Sequence, residues 1–272
     1  MNSLSDADDP KRVVERGYDQ VAHDYARLKG ESEWPRMRWL KSLLSRLGPG
    51  SAILDLGCGS GDPADIEIAK EHRVTGVDIS QAQIDLARRN VPAGHFIHGD
   101  AGSVEFPAAS FDAVISTYTL EHIPREEHET ILGRIYGWLR PGGTLLISLE
   151  AGEVEGVISE WLGVPMYFSC FDPETVKQLV SRVGFEILET RIESQVEQDT
   201  EIPYLWLLAQ KRYEKHSNPD KHKATIRWLF EDVWSQGNFE HVTRYLAPQF
   251  TFHFRGRTFI QAPDDLVPIV ST

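Results

Sequence analysis

Ser51-Ala52-Ile53-Leu54-Asp55-Leu56-Gly57-Cys58-Gly59-Ser60-Gly61 is the stretch that decides the fold of this chain. Ala52, Ile53, Leu54 and Leu56 form a near-continuous apolar run around one carboxylate, Asp55. Such a run is the pattern of a strand buried on both faces of a parallel sheet. Gly57, Gly59 and Gly61 follow at once. Glycine tolerates positive φ and lets a ligand lie against bare backbone. The stretch therefore predicts a first strand that runs straight into a ligand-cradling loop.

Working outward from it, the chain alternates strand and helix patterns. Upstream, Pro10 opens a helix through about Leu28, with Val13, Val14, Tyr18, Val21 and Tyr25 on one face. Two uses of that face stay open, as core and as a cover over a ligand. Trp34 to Leu47 predicts a second amphipathic helix, stopped by Gly48-Pro49-Gly50. Downstream, Asp62 to Lys70 predicts a helix whose N-terminus points at the glycine loop. Arg73 to Val77 predicts a strand ending on Asp78. Ser80 caps a helix through Asn90, with Gln83 placed for a capping box. Gly94 to Gly99 predicts a strand ending on Asp100, Phe111 to Ser116 another, and Arg125 to Leu139 a helix. Pro141-Gly142-Gly143 turns into the strand Thr144 to Leu149. Gly152 to Phe171 reads as a long loop rich in aromatics. Asp172-Pro173-Glu174 starts a helix ending at Gly184, and Phe185 to Ile192 and Ile202 to Ala209 predict an antiparallel edge pair. This alternation means a doubly wound α/β sheet.

Bulk properties narrow the function. The chain has 272 residues and 41% hydrophobic residues, an ordinary globular composition. Its net charge is −13, with 41 acidic against 28 basic residues, so no basic field recruits nucleic acid or a membrane surface. The two cysteines, Cys58 and Cys170, suggest neither a disulfide framework nor a metal cluster, and a reducing cytoplasm fits. No signal core and no run of about 18 apolar residues is present.

In a doubly wound sheet the ligand sits beyond the carboxyl ends of the strands, at the topological switch. The residues there are Gly57 to Gly61, Asp78, Asp100 and Ser116 to His122. Loop amides suit a carboxylate or other anion. Asp78, an acceptor-only group, suits a ribose diol, and Asp100 suits an exocyclic amine. An Asp closing one strand is commonly a turn former; here the carboxylates close successive strands. A nicotinamide dinucleotide fold competes, but its loop reads G-x-G-x-x-G. Here the spacing is G-x-G-x-G, followed by Asp62, which would repel a pyrophosphate.

L-D-L-G-C-G-S-G, V-D-I-S, G-D-A, F-D-A-V-I-S-T-Y-T-L-E-H-I and L-R-P-G-G-T-L-L-I-S, in that order, resemble the motifs of a class I S-adenosylmethionine-dependent methyltransferase. The resemblance spans roughly Asp9 to Lys211. It implies a seven-stranded sheet of order 3-2-1-4-5-7-6 in a domain over residues 1–212. It implies Gly57, Gly59 and Gly61 against the methionine part of the cofactor, with Asp55 supporting the loop. It implies Asp78 on the ribose, Ile79 on the adenine face, Asp100 and Ala101 at the adenine edge, and Thr117 at the methionine amino group. The leading helix, Y-D-Q-V-A-H-D-Y, resembles the cofactor-covering helix of small-molecule members, which brings Tyr25 to the cofactor. His122 is the best-placed general base, and wall packing is its alternative role. His128, among Glu126, Glu127 and Glu129, is expected in solvent.

Trp161, Met166, Tyr167, Phe168 and Phe171 suggest a wall for an apolar or aromatic small-molecule acceptor. Ordinary packing of a loop on the sheet edge is the alternative. Residues 213–223 read as a linker. Residues 224–272, with R-W-L-F-E-D-V-W-S-Q-G-N-F-E and Y-L-A-P-Q-F-T-F-H-F, resemble the opening of a SnoaL-like domain of the NTF2 superfamily. The apolar helix Ala224 to Gly237 reads as an association surface, whose partner is the chain's own first domain or, as the favoured reading, a second subunit. The expected function is methyl transfer to the O, N or C of a small molecule, in bacterial secondary metabolism. A cofactor-binding assembly module without transfer, and a polyketide-cyclase-type activity of the SnoaL-like part, are the alternatives.

Overall fold

A computed structural model describes residues 9–31, 35–197, 199–212, 235, 252–254 and 257–260. The chain divides into two compact units, Met1–Tyr213 and Glu214–Thr272. In the first unit a seven-stranded sheet has the order β3-β2-β1-β4-β5-β9-β8. β1 (Ala52–Leu56), β2 (Arg73–Asp78), β3 (His95–His98), β4 (Phe111–Thr117) and β5 (Leu139–Glu150) pair in parallel. β8 (Phe185–Glu197) and β9 (Thr200–Lys211) add an antiparallel edge. Setting aside one inserted hairpin, this is the 3-2-1-4-5-7-6 order expected from the motifs.

The sheet is central because successive strand residues point to opposite faces. Leu54, Leu56, Val114, Leu145 and Ile147 face a core shared with α5 (His128–Trp138) and α6 (Pro173–Val183). Ile53, Ile115, Leu146 and Trp206 face a second core with α2 (Arg36–Leu44), α3 (Ala64–Ile68) and α4 (Gln81–Asn90). Ile53, Leu54 and Leu56 are each 0% exposed, as a strand covered on both sides requires.

The inserted hairpin replaces the loop expected at Gly152 to Phe171. β6 (Val154–Trp161) and β7 (Val164–Cys170) pair antiparallel around Leu162 and Gly163, with φ of 50° and 79°. Two successive positive φ values make the turn that matches strand twist. The hairpin packs on α1 (Pro10–Glu31): Val13, Val14, Tyr18, Val21 and Tyr25 form one buried cluster with Val164, Met166 and Tyr167. Met166 and Tyr167 thus serve as core, and α1 is held down over the carboxyl ends of the strands.

Other boundaries moved for local reasons. α3 is five residues long and starts after Pro63, so it carries less of a helix dipole than the expected Asp62–Lys70 helix. A 3-10 turn at Arg125–Glu127 precedes α5. Ser80 caps α4 by accepting from the Gln83 N–H at 3.2 Å. The Gln83 side chain makes no return hydrogen bond among the described residues, so the capping box is half formed. Ser80 instead donates to Asp19 of α1 at 2.6 Å, tying the two helices together.

In the second unit the described residues include β10 (Phe252–Phe254) paired antiparallel with β11 (Arg257–Ile260). β11 supplies the partner that the alternating phenylalanines require. Trp34, the 213–223 linker and, except for Ser235, the Ala224 to Gly237 helix lie outside the described residues.

Candidate functional site

β1 ends in a loop that is held on β2. The Gly57 and Cys58 N–H groups donate to the Val77 carbonyl at 2.7 and 3.1 Å. Gly57 has φ +77°, and an added Cβ would collide with Thr119, so no other residue fits there. Gly59 has φ +56° and donates its N–H to Asp78 Oδ2 at 2.8 Å. Asp78 Oδ1 accepts the Ser80 N–H at 2.9 Å, so two backbone amides fix this carboxylate at the end of β2. Asp100, at the end of β3, accepts the Gly102 N–H at 2.8 Å and the Lys11 ammonium at 2.9 Å. Lys11 also reaches Glu127 at 2.6 Å, which clasps α1 to this rim.

These groups border one cleft of about 650 Å³ of empty space, its open mouth included. Gly57, Gly59, Asp78, Ile79, Asp100, Ala101 and Thr117 line it, as do Tyr25 and His122. Asp55 and Gly61 are absent from the lining. Asp55 is buried in β1, and its charge acts on the buried Arg36. Gly61, at φ +73°, lies against Val91 and Ala87, where a bare backbone lets the loop seat on α4.

A second cavity of about 820 Å³, mouth included, shares Tyr18, Tyr25, Tyr118 and His122 with the first. The hairpin contributes Trp161 and Phe168, so part of the aromatic segment is wall. Tyr18, Tyr25 and Trp161 meet edge to face at centroid distances of 5.2 to 5.6 Å. Phe171 instead packs outside this wall, against His128 and under the Arg125 guanidinium.

His122 stands between the cavities. Its Nδ1 lies 2.9 Å from the Tyr167 carbonyl, which can only accept, so Nδ1 carries the proton. Nε2 therefore holds a lone pair and accepts from the Tyr18 hydroxyl at 2.9 Å. Burial lowers the His122 pKa to about 4 and keeps the ring neutral in the physiological range. His128 is not solvated as expected: it is 2% exposed. Its Nε2 donates to the Leu120 and Ile123 carbonyls at 2.8 and 3.1 Å. It thus pins the 3-10 turn Leu120–His122 that presents Glu121 and His122.

Several site residues had no sequence signal. Tyr118 has φ +57°, a rare value for a residue with a side chain, and donates to Gln195 at 2.7 Å. The Arg36 guanidinium lies 4.7 Å from its ring centroid. Glu121, Glu150, Glu197 and Tyr204 converge on the second cavity from positions far apart in the chain. The E-H pair of T-L-E-H-I was the one legible hint, and only its His was singled out.

Comparison with known proteins agrees with this geometry. A family profile described as "Methyltransferase domain" matches residues 53–143. An O-methyltransferase, rstn1, of Aspergillus nomiae is 36% identical over 155 residues, 52% of this chain and 66% of that protein. A demethylmenaquinone methyltransferase of Symbiobacterium thermophilum is 29% identical, over 54% of this chain and 62% of its own length. The chain spans between 44% and 66% of the length of the first curated relatives it matches. The fold is that of a solved 1,6-didemethyltoxoflavin-N1-methyltransferase of Burkholderia thailandensis, with a TM-score of 0.61. That similarity has 21% identity and covers 78% of this chain and 93% of the other. The Burkholderia thailandensis structure holds 1,6-didemethyltoxoflavin and S-adenosylhomocysteine. Residues 53–143 thus match a methyltransferase domain, within a fold shared with solved methyltransferases.

Proposed function

We propose that this chain transfers a methyl group from S-adenosylmethionine to a small molecule with an aromatic or apolar body. The carrying observation is that the glycine-loop cleft and the aromatic cavity share one wall, Tyr18, Tyr25, Tyr118 and His122. The donor set of the cleft fits the cofactor. Asp78 is an acceptor-only carboxylate for ribose hydroxyls, and each of its oxygens can accept more than one hydrogen bond. Ile79 and Ala101 offer apolar surface to the adenine, with Asp100 at its edge. Gly57, Gly59 and Thr117 offer backbone to the methionine part, while Asp55 and Gly61 shape the loop from behind. When bound, S-adenosylmethionine supplies a methyl group already activated on a sulfonium.

The protein's part is alignment and exclusion of water. Tyr18, Tyr25 and the hairpin cover the cavity. His122 Nε2 is the proton acceptor, reached through the Tyr18 hydroxyl, which gives its own proton to Nε2 as it takes one from the substrate. Burial keeps the imidazole neutral and ready to accept, at the expense of basicity. Neither Cys58 nor Cys170 forms a disulfide, and no described helix is long and apolar enough to cross a membrane. A cytoplasmic place in secondary metabolism belongs to the same proposal. So do the SnoaL-like character of residues 224–272 and the pairing of two copies through them, which rest on the sequence resemblance.

The test incubates the full chain with S-adenosylmethionine and a panel of phenols, polyketide fragments and amines, reading S-adenosylhomocysteine by mass spectrometry. Acceptor-dependent product supports the proposal. Tight cofactor binding with no turnover on any of the panel would favour a binding module instead.

A further inference from the structure

The aromatic cavity has an unusual charge inventory. Glu121, Glu150, Glu160 and Glu197 line it, and among the described residues no lysine or arginine does. His122, also in the lining, is neutral. The buried Arg36 guanidinium lies over the Tyr118 ring and borders the other cleft; its charge reaches Glu121, but less strongly than the repulsion of Glu150 and Glu197. Glu121 is the decisive group. It is 3% exposed, and its Oε2 has no hydrogen-bond partner among the described residues. A buried carboxylate oxygen left without a donor is costly, and a positive partner recovers the most of that cost. Glu197, by contrast, is already held by Gln195, by the Tyr204 hydroxyl at 2.9 Å and by the Trp161 indole at 3.4 Å. Among the described residues these carboxylates do not form a group that could hold a metal ion.

The rest of the wall suits the same partner. Tyr18, Tyr25 and Trp161 pack edge to face beside the carboxylates. Aromatic faces attract a cation within about 6 Å, more so when it is desolvated. An anionic acceptor would meet only repulsion here, and a neutral one would leave the carboxylates without a counter-charge.

We infer that the acceptor carries a protonated nitrogen, an ammonium or amidinium, anchored by Glu121 and Glu150 against the Tyr18–Tyr25–Trp161 wall. This deepens the proposed function and rests on its reading of the cavity as the acceptor site. Burial, with Glu150 and Glu197 adding repulsion, pushes the Glu121 carboxyl well above the usual range, and a cation bound beside it would draw it back toward the charged form.

The experiment titrates the full chain, saturated with S-adenosylhomocysteine, with three near-isosteric probes: 2-phenylethylammonium, 2-phenylethanol and phenylacetate. Calorimetry should show the ammonium binding at least about tenfold more tightly than the alcohol, with phenylacetate weakest. Glu121→Gln should weaken the ammonium by about tenfold or more and leave the alcohol unchanged. Glu150→Gln, at a partly buried position, should weaken it less and guards against misfolding of the first variant. Equal or tighter binding of the alcohol or phenylacetate would overturn the inference. So would an ammonium affinity untouched by Glu121→Gln, or no binding of any probe. A separate titration with S-adenosylhomocysteine keeps the two readings apart. Ammonium selectivity without cofactor binding would keep the subsite and sink the methyl-transfer reading; cofactor binding without selectivity would do the reverse.

Discussion

Replacing Asp78 by Asn separates two roles of one carboxylate. Asp78 is 8% exposed and accepts the Gly59 and Ser80 N–H groups at 2.8 and 2.9 Å. Asn keeps the shape but has one acceptor oxygen, so its amide NH₂ must face one of the two backbone donors. That donor loses its partner, at about 1–3 kcal/mol of stability. In a unit of this size, Met1–Tyr213, each kcal/mol corresponds to roughly 2–4 °C in Tm. The cofactor loses more specifically. A hydrogen bond from a ribose hydroxyl to a charged carboxylate is worth about 1.5–3 kcal/mol, or roughly 10- to 150-fold in Kd. Thermal melting gives the first quantity, and calorimetry with S-adenosylhomocysteine at fixed salt gives the second. A lowered Tm with Kd within about twofold of the parent chain would refute the ribose assignment and leave Asp78 as a loop clamp.

Gly59→Val should abolish S-adenosylhomocysteine binding with the circular dichroism of the fold retained, because φ +56° and the cleft both exclude a branched side chain. His122→Ala should lower turnover by about 10²-fold at unchanged cofactor affinity, the low end for a general base because burial has reduced its basicity; steady-state kinetics on any acceptor found above checks it. His122 also makes stability acid-sensitive. Its folded pKa of about 4 lies below the unfolded 6.5, so its contribution is complete above pH 6.5 and is lost as pH falls toward 4. The loss amounts to roughly 3 kcal/mol, and urea unfolding of His122→Phe at pH 7 and 4.5 should lack it. Glu121 has the opposite sign, since its folded pKa is raised. Its contribution is lost as pH rises above the usual carboxylate range, so Glu121→Gln should gain stability relative to the parent chain between pH 4.5 and pH 8 in urea unfolding.

The glycine-loop half of the site was legible in the chain because local constraints write it. A strand buried on both faces needs the run Ile53 to Leu56, and the turn after it needs positive φ at Gly57 and Gly59. Asp78 and Asp100 stand where their strands end, so fixing the strands fixed the carboxylates. The strand order followed from the same motifs. The aromatic half was different. Leu162-Gly163 carried a turn signal within a segment read as loop, and only the packing of Val164, Met166 and Tyr167 on α1 makes the hairpin a wall. His128 sits in a run of glutamates that reads as solvated, yet the turn before α5 swings it into the core to bind two carbonyls. Glu121, Glu150 and Glu197 lie on a turn after β4, on β5 and on β8. Their convergence depends on which strands neighbour one another, a long-range outcome with no local period to betray it. The sequence by itself thus determined the sheet and the glycine-loop cleft, through backbone sterics and strand burial. Tertiary packing alone decided the charge of the aromatic cavity, because it brings together like carboxylates that no short-range rule would place side by side.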